Sequence, residues 1–189
     1  MVITDDFSRF TWVFFLEQKS EATDLIKKFV ILMENQSNER VKIIRCDNGT
    51  EFKNADLNEF CALKGIDRQF STARSPQQNG VAERRNRTLI EAARTMLIDS
   101  GLPLIFWAEA VNTACYVQNH ALINKRHMKT PYEIVEGQKP SVQHFRTFGC
   151  PCVLLLMDSK GKFEARGDPC YFIGYAKNTS YRVYNKVKK

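Results

Sequence analysis

Val41-Lys42-Ile43-Ile44-Arg45-Cys46-Asp47-Asn48-Gly49-Thr50-Glu51-Phe52 carries an apolar, β-branched run straight into an acid and a turn sequence. The run reads as a strand over 41–46, with Asp47 at its end and Asn48 and Gly49 shaping the loop that follows. Downstream, Ser75-Pro76-Gln77-Gln78-Asn79-Gly80-Val81-Ala82-Glu83 leads into Arg84, Arg85, Asn86 and Arg87, so a second acid opens a basic helix with Asn79 and Gly80 shaping the loop before it. Between Asp47 and Glu83 lie 35 residues. A carboxylate at a strand terminus and another on a helix face can meet in space, and the pair has a chemistry. Mg²⁺ takes oxygen ligands in near-octahedral geometry, generally from one or two carboxylates with waters and phosphate. Two such ions roughly 3.5 to 4 Å apart clamp the attacking and leaving oxygens of an in-line phosphoryl transfer, which asks for carboxylates within about 8 Å of each other. By itself Asp-Asn-Gly is an ordinary solvated turn, and only its surroundings lift Asp47 above that reading.

Working outward, Thr11 to Leu16 is rich in aromatic and β-branched residues and reads as a strand, with Met1 to Thr4 as the stub of one before it. Ser20 is the expected cap of a helix over 21–34, in which Ala22, Leu25, Ile26, Phe29, Val30 and Met33 recur at helical spacing. After the strand at 41–46 comes a helix over 54–64 that stops at Gly65, then a short strand from Ile66 to Phe70. This alternation predicts an α/β fold. Ser71 to Gly80 has no hydrophobic period and reads as a loop. On the helix beyond it, Glu83 shares a face with Asn86, Arg87, Ile90 and Arg94, all within roughly 60° of it, while Ala82, Leu89, Ala93 and Met96 form an apolar arc. Two readings of that face stay open. Glu83 could pair with Arg87 at i,i+4 on a solvated surface, or Arg87 and Arg94 could hold phosphates beside a metal, with Arg84 or Arg85 touching a neighbouring strand.

Gly101-Leu102-Pro103 breaks the helix, and Leu104 to Ile123 reads as another whose aromatics, Phe106 and Trp107, look like core residues, with base stacking as the alternative. Residues 124–146 carry Lys125, Arg126, Lys129, Lys139 and Arg146 among the breakers Pro131, Gly137 and Pro140, and read as a basic connector. From Phe148 the pattern changes to short strands at Cys152–Met157, Cys170–Tyr175 and Tyr181–Tyr184. With 189 residues, 43% of them hydrophobic, the chain can bury a real core, and its net charge of +7 favours a polyanionic partner. No apolar run approaches the roughly 18 residues that span a bilayer, and the first residues lack the pattern of a signal peptide. Six cysteines, at 46, 61, 115, 150, 152 and 170, show no Cys-x-x-Cys spacing and read as reduced thiols; Cys150-Pro151-Cys152 with His144 is poorly spaced for tetrahedral zinc.

Asp5-Asp6-Phe7-Ser8-Arg9-Phe10-Thr11-Trp12, Asp47-Asn48-Gly49, Ser75 to Arg84, Phe106-Trp107-Ala108-Glu109-Ala110 and Phe148-Gly149-Cys150 are similar, in this order, to a copia-type retrotransposon integrase. The resemblance covers essentially the whole chain. It implies a ribonuclease H-like α/β core at 1–123, a basic connector at 124–147 and a small β-barrel-like module at 148–189. It makes Asp47 and Glu83 the second and third acids of an Asp, Asp, Glu triad that binds Mg²⁺ or Mn²⁺ and performs 3′-end processing and strand transfer. Arg84, Arg87 and Arg94 would position DNA phosphates of element ends and target, and the full-length protein would be a homo-oligomer acting in nucleus or cytoplasm, without a membrane. In that family the first acid lies upstream of the segment that Val2–Arg9 resembles. The resemblance therefore implies a core here without its first strand and first catalytic Asp, without the upstream zinc-binding module, and with a gap or a rearrangement between Val2–Thr4 and 41–46. Asp5 and Asp6 fall where a hairpin turn is expected. A degenerate or domesticated fragment that binds nucleic acid or protein without catalysis is the rival reading, and an unrelated nuclease of the same fold is a third.

Overall fold

The computed structural model describes residues 1–71, 80–155, 166–176 and 180–186. Its elements run β1 (Val2–Thr4), β2 (Thr11–Val13), α1 (Ala22–Ser37), β3 (Ile43–Cys46), α2 (Ala55–Lys64), β4 (Asp67–Phe70), α3 (Gly80–Ser100), α4 (Trp107–Ala121), α5 (Pro131–Glu136), β5 (Pro151–Leu155), β6 (Gly167–Tyr175) and β7 (Tyr181–Asn185). Two compact units result: Met1 with Phe14–Arg84, and Val2–Val13 with Arg85–Lys189. Among the described residues no helix is long and apolar enough to cross a membrane.

In the first unit β3 and β4 pair in parallel, from Ile43 opposite Asp67 to Cys46 opposite Phe70, with α2 as the crossover. Their core is Ile26, Val30, Leu57, Cys61 and Ile66, packed by Met1, Val41, Ile44, Phe52 and Phe60. Every apolar residue expected on the inner face of α1 is buried or half-buried. The expected helix at 54–64 is α2, whose Asn54 side chain accepts the Leu57 N–H at 2.8 Å and which stops at Gly65 with φ +69°. Ser20 is not the cap of α1. A 3₁₀ turn, Lys19–Glu21, precedes the helix, and there the Gln18 N–H donates to Glu21 Oε1 at 3.0 Å while the Glu21 N–H donates to the Gln18 carbonyl at 3.2 Å. The reciprocal pair at Gln18 and Glu21 wins because it satisfies two backbone groups at once, where a Ser20 hydroxyl would satisfy one.

In the second unit β1 and β2 form an antiparallel hairpin, Val2 opposite Val13 through Thr4 opposite Thr11. Asp5 and Asp6 lie in its turn, as expected. Asp5 Oδ2 accepts the Ser8 N–H at 2.7 Å and the Ser8 hydroxyl at 2.6 Å, and Asp6 pairs with Arg9. Among the described residues β1-β2 and β3-β4 are separate two-stranded sheets. Leu89, Ala93 and Leu97 of α3 pack with Leu102 and with Ala110, Val111, Ala114 and Cys115 of α4, and β6 adds Ile173. The three-stranded antiparallel sheet β5-β6-β7 rests on α4 through Gly174, where a Cβ would stand 2.9 Å from Thr113 Oγ1, and through the Thr113 hydroxyl, which donates to the Ile173 carbonyl at 3.1 Å.

Two expectations for this unit change. Leu104–Phe106 is a 3₁₀ turn before α4; Phe106 packs against Tyr184, the rings tilted and 4.7 Å apart, while Trp107 is 53% exposed. Pro131 opens a helix in the connector instead of breaking one. Thr130 caps α5 by accepting the Glu133 N–H at 3.1 Å, and proline at the first helical position loses only an amide that has no helical partner. Four cysteines are buried, Cys150 and Cys152 are half-buried, and all six are free thiols.

A stack of rings ties α5 to α4 and β6. Tyr132 lies on His120 at 4.3 Å, His120 on Tyr116 at 4.0 Å, and Tyr116 on Tyr175 at 4.3 Å. His120 Nδ1–H donates to the Tyr116 carbonyl at 2.7 Å, which fixes the neutral tautomer. Burial holds the His120 pKa below the usual 6.5 despite that bond, with neighbouring His144 pulling the same way. The unfolded chain therefore binds the proton more readily, and stability is full above pH 6.5 and falls as pH drops through 6.5 toward the lower folded value. Unfolding followed at pH 7.5 and below 6 is expected to show this loss, and His120→Gln to flatten it; an unchanged pH profile in that variant would assign the loss to other groups.

Candidate active site

Asp47 stands where β3 ends, and the strand end is tied down from the β4 side. The Ser71 N–H donates to the Cys46 carbonyl at 3.0 Å, and Asn48 Nδ2 donates back to the Ser71 carbonyl at 2.6 Å. Asp47 turns its own chain, Oδ1 accepting the Gly49 N–H at 3.0 Å. Gly49 is tightly enclosed: a Cβ there would meet Asp47 Oδ1 at 3.0 Å and the Glu51 carboxyl carbon and Oε2 at 2.8 Å. The Asp47 and Glu51 carboxylates thus flank one glycine, with Lys19 Nζ 3.8 Å from Glu51 on its other oxygen. Behind the loop, Arg68 of β4 donates from Nη2 to the Phe52 carbonyl at 2.5 Å and lies over the Phe70 ring at 4.9 Å. It also reaches Cys46 Sγ at 3.8 Å, where burial pushes the thiol pKa up. Arg68 holds the far end of the loop that Asp47 begins.

Glu83 is the fourth residue of α3, which starts at Gly80. Glu83, Asn86, Arg87, Ile90 and Arg94 are all exposed, so the acid and the cations do share a solvent face. No ion pair joins Glu83 to Arg87 among the described residues, whose ion pairs are Arg9–Asp6, Lys19–Glu51, Lys64–Glu34 and Arg182–Glu109. Gly80 is buried, and a Cβ there would lie 3.6 Å from an Arg84 guanidinium nitrogen. Asn79 lies outside the described residues.

Asp47 and Glu83 belong to the same compact unit, and both are exposed. The two offer oxygen donors only, a chemistry that suits a hard cation held by one or two carboxylates with waters and phosphate. Among the described residues no group of three or more His, Cys, Asp and Glu side chains is placed to hold a metal ion. The sequence reading did not single out Glu51, Arg68 or the buried partners of Arg85. Glu51 had a visible signal, standing in the same turn as Asp47; the others depend on contacts that only the fold makes.

The integrase core domain family matches residues 1–76, and the retroviral polymerase SH3-like domain matches 150–189. This chain belongs to the retroviral-type integrase family. The integrase chain is 36% identical over 98% of its length to the retrovirus-related Pol polyprotein from transposon TNT 1-94 of Nicotiana tabacum, and 30% identical over 93% to that from transposon RE2 of Arabidopsis thaliana. It spans 14% and 12% of those polyproteins. Solved structures share the fold at lower identity. The HTLV-2 integrase catalytic core in complex with magnesium matches with a TM-score of 0.51 and 24% identity, covering 71% of this chain and 82% of that one. The simian T-cell lymphotropic virus intasome in complex with a PP2A regulatory subunit matches with a TM-score of 0.57 and 18% identity, covering 97% and 68%. The fold is therefore the ribonuclease H-like one that the family resemblance implied, and the strand and helix alternation had indicated its α/β class.

Proposed function

We propose that this chain is the catalytic-core part of a retrotransposon integrase and acts in divalent-metal-dependent polynucleotidyl transfer: 3′-end processing of element DNA and its joining to target DNA. The observation that carries the proposal is the placement of Asp47 at the end of β3 and Glu83 on the exposed face of α3 within one unit. Asp47 and Glu83 would hold Mg²⁺ or Mn²⁺, which when bound stabilises charge on the phosphate under attack and on the attacking oxygen. Arg84, Arg87 and Arg94 would bind backbone phosphate, setting the register of the duplex without reading its sequence. Asn48 and Gly49 hold the Asp47 turn, and Asn79 and Gly80 would shape the entry to α3. The boundaries 1–123, 124–147 and 148–189 serve as core, connector and β module, in a homo-oligomer on DNA. The deciding experiment is a strand-transfer assay on the integrase region of the polyprotein that contains this chain, with and without Mg²⁺.

Phosphate binding carries its own prediction. Arg87→Ala and Arg94→Ala should each weaken DNA binding to the same extent on unrelated sequences and lower the slope of log affinity against log salt by about 1. Titrations at several salt concentrations check this, and a sequence-selective loss or an unchanged slope would remove these arginines from the phosphate contacts.

A further inference from the structure

The geometry points to Arg85 as a positioning residue for Glu83: bonds to Thr11 and Asn119 fix the rotational phase of α3 so that the acid projects from its opposite face. The inference rests on the metal-binding role proposed for Glu83.

Arg85, itself half-buried, stands four residues before Leu89, which is followed at the same spacing by Ala93 and Leu97 in the buried row of α3. Its Nε donates to Thr11 Oγ1 at 2.8 Å and its Nη2 to Asn119 Oδ1 at 3.2 Å. Both acceptors are nearly inaccessible, at 1% and 4% exposure. Asn119 is itself locked to β2: its Nδ2 donates to the Thr11 carbonyl at 2.8 Å, and its Oδ1 accepts the Thr11 N–H at 3.0 Å. The Cys115 thiol, one turn earlier on α4, donates to the same carbonyl at 3.1 Å. A guanidinium fork held by two fixed acceptors tolerates little rotation of the helix that carries it.

Two residues along an α-helix turn the side chain through roughly 200°. Arg85 facing inward therefore sets Glu83 facing outward, and Glu83 is exposed. Neither acceptor depends on the cation for satisfaction. Thr11 Oγ1 also donates to the Arg9 carbonyl at 3.2 Å, and Asn119 Oδ1 keeps the Thr11 N–H. Burial depresses the Arg85 pKa, so the charge is held there against a desolvation cost. Because Thr11 Oγ1 and Asn119 Oδ1 each keep another hydrogen bond, an apolar side chain of similar length at position 85 leaves neither of them orphaned. What the apolar residue cannot supply is direction.

The test uses the integrase region of the polyprotein, with Mn²⁺ binding followed by electron paramagnetic resonance, thermal melting, and strand-transfer kinetics. Arg85→Met is expected to melt close to the parent, to bind Mn²⁺ about tenfold more weakly, and to lose kcat at least tenfold with KM for DNA unchanged. Arg85→Lys, which reaches one acceptor at a time, should fall between. Parental Mn²⁺ affinity and kcat in a folded Arg85→Met would overturn the assignment and leave Arg85 a packing residue. If Arg85→Met does not fold, Thr11→Val removes the Nε acceptor at nearly constant volume, and parental Mn²⁺ affinity there overturns it equally. Parental protein whose Mn²⁺ binding is unaffected by Glu83→Gln would instead fail the metal site itself, and the positioning role with it.

Discussion

Glu83→Gln is expected to lower strand transfer by the integrase region about 10²- to 10³-fold, the scale on which losing one group that stabilises transition-state charge is felt. The substitution keeps the shape of the side chain and removes its charge, and since Glu83 is exposed and in no ion pair among the described residues, the melting temperature should not move. Asp47→Asn should match it. An asparagine there retains an Oδ1 to accept the Gly49 N–H, so the turn that follows β3 survives while the ligand is lost. If the two acids act on one centre, as proposed, the double variant should be little worse than either single one. Single-turnover strand transfer with parent and variants at equal DNA occupancy measures this, and a Glu83→Gln rate within threefold of the parent would sink the site assignment.

The largest effect on stability is expected at Gly149. Its φ is +78°, in the left-handed region that costs a residue with a Cβ about 1 to 2 kcal/mol. A Cβ there would also stand 2.3 Å from the Cβ of Ser100 at the end of α3, and overpacking of that kind typically costs about 1 to 3 kcal/mol more. Gly149→Ala should therefore lose about 2 to 5 kcal/mol, which at about 2 to 4 °C per kcal/mol for a chain of this size is a drop of roughly 4 to 20 °C. Adding Ser100→Gly removes the overlap and leaves the backbone strain, so the pair should recover about half the loss. A thermal melt of the two variants decides it. No shift for Gly149→Ala would mean that the chain before β5 relaxes freely, contrary to the 2.7 Å bond from the Gly149 N–H to the Phe172 carbonyl.

Features with a local cause were legible in the sequence. The row of Glu83, Asn86, Arg87, Ile90 and Arg94 is exposed because helical period alone sets which residues share a face. Gly65 ends α2 because it needs no tertiary partner to adopt a left-handed conformation. The cap of α1 was misread because Gln18, Ser20 and Glu21 compete for the same few backbone groups, and side-chain reach settles the competition. Pro131 was misread because proline stops a helix in its interior and starts one at its first position; only the Thr130 cap tells the two apart. The partners of Arg85 stayed hidden for a different reason: Thr11 and Asn119 are separated by 108 positions, and no spacing rule reaches that far. Trp107 was assigned to the core from its helical spacing to Ala110, Val111 and Ala114, yet at the first position of α4 it is 53% exposed.

The amide of Asn119 has a consequence for the molecule among its neighbours. Thr11 lies opposite Thr4 in the hairpin, and its backbone N–H and C=O bond to Asn119 instead of to β1. Those are the groups that an unpaired strand border would offer to a passing chain, and such a border is a template for intermolecular pairing. One side chain on α4 occupies the donor and the acceptor together. A foreign strand arriving at Thr11 finds its hydrogen-bonding partners already taken, so this short hairpin is guarded against association at that residue by an asparagine, with no need for the lysines, prolines or bulges that commonly do the guarding.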